Sequence, residues 1–97
     1  MPRVLCEDLP EHFCRAVSQM KWRGLSNGSL LARASEEFDA FITVDRNLRH
    51  QQNLQKFPLA VIVIHARSNE YEELRHFVTK IRTALETVTP GALIIIT

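Results

Sequence analysis

The sequence lacks any long apolar run. Its longest, "LAVIVIHA" and "ALIIIT", fall far short of the roughly 20 residues that a membrane-spanning helix needs. No basic region followed by an apolar stretch stands at the N-terminus, so the chain reads as cytoplasmic, with no membrane partner. Cysteine is nearly absent. Cys6 and Cys14 stand eight apart with no CxxC pair and no His/Cys cluster at zinc spacing, which predicts free, reduced thiols. Charge of one sign is scarce too: a formal net charge of +1 excludes the long-range attraction of a strongly basic nucleic-acid binder, while leaving room for a local positive patch. His12, His50, His65 and His76 form no HxxxH or Cys/His spacing, and there is no GxSxG, P-loop or Rossmann glycine signature. With no internal repeat, low-complexity tract or linker, residues 1–97 are expected to form one domain with a single modest core.

What is present is an alternation of strand and helix patterns. "SNGSLLARASEEFD" places the cap-type residues Ser26 and Asn27 before Leu30, Leu31, Ala34 and Phe38 at helical spacing, predicting a helix over 27–37. "AFITV", residues 40–44, is β-branched and aromatic and short enough for a strand. "LAVIVIH", residues 59–65, is apolar without alternation, which suits a strand buried on both faces of a parallel sheet. In "SNEYEELRHFVTKIRTALETV", Leu74, Phe77, Val78, Ile81, Leu85 and Val88 keep helical spacing; Asn69 with Glu72 resembles a capping box, and Thr89-Pro90-Gly91 stops the helix. "LIIIT" then reads as another buried strand, making a strand-helix-strand crossover from 59 to 97. Nearer the N-terminus, "HFCRAV" over 12–17 reads as a strand, residues 20–28 as the loop after it, and "PRVLCEDLP" as a short strand or a helical turn. The fold class is α/β with a mostly parallel sheet.

In open parallel sheets, ligands bind beyond the carboxyl ends of the strands. That rule puts Asp45 and Asn47 at the working rim, with Asn27 at the start of a helix and Arg67 just past "VIVIHA". A strand-end Asp is able to bind a divalent cation, yet one carboxylate makes a weak site. It also commonly caps the next turn, accepting from the backbone N–H of Asn47 or Leu48, and Asn27 is a natural helix cap in the same sense. Trp22, between Lys21 and Arg23, has the chemistry to stack on a base, although such a Trp more often anchors a loop to the core.

Taken together, Trp22, Gly24-Leu25, Asn27-Gly28, Phe38-Asp39, Thr43 to Asp45, Asn47-Leu48 and Gln51 to Leu54 resemble the signature of small PIN-like proteins, predicted nucleases often proposed as toxins of toxin-antitoxin systems. The resemblance runs over about residues 10–97. It implies a three-layer α/β/α sandwich that gathers acidic residues at one end of the sheet, binds magnesium or manganese and hydrolyses RNA. Asp45 matches the strand-end acid and becomes the catalytic and metal residue, supported by Asn27 and Asn47, with Arg46, Arg49 and Arg67 as phosphate contacts. An antitoxin-like protein is the implied partner. Where related proteins carry further acidic residues, at Asn47 and near Asn27 to Ser29, this chain is neutral.

The N-terminus departs further. Members begin with a strand ending in an acidic cluster, then a helix, but only eleven residues precede "HFCRAV" here, and a parallel crossover needs about 10 to 12 by itself. Either "RVLCEDLP" is the acidic strand with its helix deleted, leaving Glu7 or Asp8 as ligand, or the first strand is missing or degenerate. The second alignment is preferred because it needs no impossibly short crossover. A sheet short of its first strand is expected to close up or to recruit a second copy as a homodimer, and a clean monomer in equilibrium sedimentation would count against that pairing. Loss of acidic ligands also admits a catalytically inactive protein-interaction module of the same ancestry.

Overall fold

A computed structural model describes residues 8, 9, 14, 15, 20, 22, 24–48, 53–68 and 70–97. Helix α1 spans Asn27–Glu37 and begins where Ser26 Oγ accepts from the backbone N–H of Ser29 at 3.3 Å, satisfying a donor that the first helical turn leaves orphaned. It ends at Phe38, whose N–H reaches Ala34 O at 2.7 Å. Two residues, Phe38 and Asp39, then turn the chain into strand β1, Ala40–Thr43. Strand β2, Ala60–Ile64, is buried at every position. Both neighbours pair with it in parallel: Ile42 lies opposite Ile62 on one side and Ile94 on the other, where strand β3 is Leu93–Ile96. The sheet order is β1-β2-β3. Gly91, at φ 82, supplies the left-handed conformation for the turn into β3, and its N–H donates to Leu59 O at 3.2 Å.

Alternation along β2 divides the core. Ile62 and Ile64 pack with Leu9, Ala66, Leu74, Ile81 and Ile96, while Val61 and Val63 pack with Trp22, Leu31, Ala34, Leu48, Leu54 and Leu59. The α/β class follows, with a small three-stranded parallel sheet and helices.

Several expectations are corrected. The single helix expected after β2 is three pieces: α2 at Tyr71–Leu74, a 3₁₀ turn at Arg75–Phe77 and α3 at Val78–Leu85. The residue before α2 is Glu70, which makes no side-chain cap bond; Asn69 of the expected capping box lies outside the described residues. "LIIIT" is not a buried strand: Leu93 and Ile95 are 39% and 38% exposed, because β3 is an edge of the described sheet and neither side chain joins the cluster around Leu31 and Ala34 of α1. Of the two readings of Trp22, the core anchor holds and the stacking ring does not. Trp22 is buried, edge-on to Phe38 with ring centroids 6.2 Å apart, and anchors its loop to the core. Cys14 and Arg15, within the strand expected over 12–17, have no regular structure, and the rest of that segment lies outside the described residues. Asp8 sits in a 3₁₀ turn, consistent with the helical-turn alternative at that position. Cys14 is not a free thiol: it is disulfide-bonded. Sequence spacing alone says nothing about how the chain folds back, and it is folding back that brings sulfurs together.

Candidate functional site

All three strands run the same way, so their carboxyl ends share one rim. β1 runs out through Val44 to Asp45, β2 through His65 and Ala66 to Arg67, and β3 to Thr97. Continuing the register sets Asp45 level with His65, and the His65 N–H still donates to Ile96 O at 2.8 Å. α1 ends two residues before β1 begins, so Ser26 and Asn27 stand at the end of α1 far from the start of β1, and α2 follows the loop that leaves β2 at the rim.

Asp45 is half-buried and held by its neighbours. Its N–H donates to Thr43 Oγ1 at 3.1 Å, its Oδ1 accepts from the Asn47 N–H at 3.0 Å, and its carbonyl accepts from Leu48 N at 3.3 Å. This is the capping turn that an Asp at a strand end favours. One carboxylate oxygen is thereby committed to the backbone. Arg46 and Asn47 are exposed on the turn itself. Asn27 is the first residue of α1 and half-buried; the cap is Ser26 instead. Arg67 is exposed, and its backbone N–H points to Glu73 Oε1 at 3.4 Å, so a carboxylate stands beside this candidate phosphate contact. Glu7 and Arg49 lie outside the described residues.

Two contacts near this rim carry no sequence signal. Tyr71 Oη donates to Asp8 Oδ2 at 2.7 Å across 63 residues, and Lys80 Nζ donates to Thr97 O at 2.5 Å. The Asp8 hydrogen bond raises the Tyr71 pKa above its ordinary value, with burial and the Asp8 and Glu72 charges adding and the Arg75 charge opposing. Asp8 therefore places a second carboxylate against Tyr71 at the start of α2, with its Oδ2 already engaged.

Among the described residues no group of three or more His, Cys, Asp or Glu side chains is gathered to hold a metal ion. Asp45 contributes one carboxylate, part of it tied into a turn. That donor set fits a magnesium ion held largely by water and a substrate phosphate, and does not fit an ion caged by protein ligands alone. Among the described residues, no helix is long and apolar enough to cross a membrane.

The chain matches no family model, no curated protein and no solved structure. What it can do is argued from the rim.

Proposed function

We propose that the protein is a PIN-like ribonuclease, weakened by loss of acidic ligands, which binds single-stranded RNA at the carboxyl rim and acts as the toxin component of a toxin-antitoxin pair. On this reading the fold is a three-layer α/β/α sandwich whose first strand is missing or degenerate, and a second copy completes it as a homodimer. The observation that carries the reading is Asp45, a carboxylate fixed at the end of a parallel strand with Arg46 beside it and Arg67 past the adjacent strand.

Asp45 is the residue that would hold magnesium, through the carboxylate oxygen not used in its turn. A magnesium ion bound there supplies an activated water and neutralises phosphate charge. The chain does the rest. Arg46 and Arg67 position the RNA backbone without reading its sequence, and Asn27 and Asn47 line the rim as neutral polar groups. Asp45→Asn keeps the acceptor oxygen that closes the turn and removes the charge. Magnesium-dependent cleavage of single-stranded RNA is expected to fall to background in that variant, in a gel assay on purified protein. Unchanged cleavage would assign the activity to another site or a contaminant.

One observation favours a second reading. With Asp45 serving a turn and no group of three or more metal-ligating side chains gathered among the described residues, the protein is a catalytically inactive PIN-like module that engages an antitoxin-like partner. Calorimetric titration with manganese separates the two: the module binds the ion weakly or not at all, whereas tight, stoichiometric uptake would argue against it.

A further inference from the structure

His65 stands where the rim has room for a second donor. Ile62, Ile64 and Ala66 pack on one face of the sheet and Val61 and Val63 on the other, so alternation puts His65 on the side of Val63. β1 divides in the same way. Ile42 and Val44 pack on the Ile62 side and Phe41 on the Val61 side, so Asp45 follows Phe41 and Thr43 to the side of His65. Asp45 and His65 each lie two residues beyond the paired positions Thr43 and Val63, which sets them next to each other on strands spaced about 4.8 Å apart. Both backbones are held there. The Asp45 turn closes through Oδ1 onto the Asn47 N–H, the His65 N–H donates to Ile96 O at 2.8 Å, and both residues are half-buried. No histidine spacing in the sequence marks this pair, because the pairing of two strands creates it.

We propose that His65 is a second protein ligand beside Asp45, and that the pair prefers a first-row transition ion, zinc or manganese, to magnesium. The proposal rests on the reading of Asp45 as the metal residue and does not require RNA cleavage. Carboxylate and water suit magnesium, whereas an imidazole nitrogen suits zinc. One donor of each kind therefore gives magnesium a single well-matched protein ligand and gives zinc two. With no larger group of ligating side chains among the described residues, the remaining positions are left to water or a phosphate oxygen. Affinity at such sites rises from manganese to zinc, so the expected order is zinc, then manganese, then magnesium.

Calorimetry on the purified chain with each of the three ions reads that order. His65→Gln should weaken zinc by about tenfold or more, a loss that even the outer partner of a metal ligand commonly causes, and leave magnesium unchanged. His65→Asp, which replaces the nitrogen by a second carboxylate, should strengthen magnesium and narrow the preference. Asp45→Asn should weaken all three ions. Manganese reports on the unaltered protein as well: at substoichiometric ion its paramagnetism should broaden the His65 ring and Asp45 amide resonances together. A zinc preference that His65→Gln leaves unmoved would overturn the proposal and spare the reading of Asp45, as would broadening at Asp45 that passes over the His65 ring. Unchanged binding of every ion in Asp45→Asn would overturn both. The expected order in a protein that cleaves no RNA would uphold the site and reject the nuclease.

Discussion

The two faces of the sheet are closed to different extents. On the face of Ile62 and Ile64 all three strands contribute: Ile42 from β1 and Ile94 and Ile96 from β3 join Leu74 and Ile81. On the face of Val61 and Val63 the packing stops at β2. Phe41 of β1 joins Trp22, Leu31 and Ala34 there, while Leu93 and Ile95 of β3 stay well exposed. Connectivity explains the difference. α2 and α3 are the link between β2 and β3, so they must lie across both strands, whereas α1 is tied to β1 by two residues and covers β1 and β2. Ile94 and Ile95 are the same residue type in the same strand. Which side of the sheet each faces, and which helix lies there, decides its environment.

The largest effects should come from truncating side chains that seal each face. Ile64 and Leu31 are both 0% exposed, one on each side. Ile64→Ala and Leu31→Ala should each cost about 2–5 kcal/mol in urea denaturation, through lost burial plus the cavity left behind. Equal losses would mean that the second face, where it is covered, is packed as tightly as the first. A loss below about 1 kcal/mol at Leu31 would show that α1 is loosely seated, and would break the comparison as drawn.

A smaller effect, confined to the first face, should follow Tyr71→Phe. The variant keeps the ring and deletes the hydroxyl that Asp8 accepts. Because the folded-state pKa of Tyr71 is raised, the stability it contributes is fully present below the ordinary tyrosine pKa of about 10 and is lost as pH rises through the folded value. The Tm difference between wild type and variant should therefore be constant near neutrality and shrink at strongly alkaline pH. A difference that grew with pH would reverse the sign and place the bond elsewhere.

These contrasts show what a sequence can carry. Ser26 before an 11-residue apolar period marks α1 at its observed bounds, since capping and periodicity are local. The unbroken run "AVIVI" marks β2 for the same reason. The break at Arg75–Phe77 was hidden because a 3₁₀ turn and an α turn place apolar residues such as Leu74 and Phe77 three apart alike. At Asp45 the position at a strand end was legible, and so was the turn that uses its carboxylate, because both are local. The Tyr71–Asp8 bond and the Cys14 disulfide were not, since each joins groups whose proximity only the folded chain creates. The exposure of Leu93 and Ile95 was illegible for a related reason. Hydropathy marks a residue as able to be buried, but coverage depends on which helix passes over it.

That last point gives the smallest predicted effect and the sharpest use of the comparison. Leu93→Thr and Ile95→Thr keep β-branched or strand-tolerant side chains at positions 39% and 38% exposed, so neither pairing with β2 nor packing against α3 should suffer. Each should change stability by no more than about 0.5 kcal/mol in the same denaturation series. If either instead costs as much as Ile64→Ala, that surface is covered in solution, by another part of the chain or by a second copy laid along the edge strand. Repeating the measurement at two protein concentrations tells those apart, because only coverage by a second copy makes the loss depend on concentration. A concentration-dependent loss would put pairing between copies at β3, not at the β1 edge where the proposed homodimer with its missing first strand would put it.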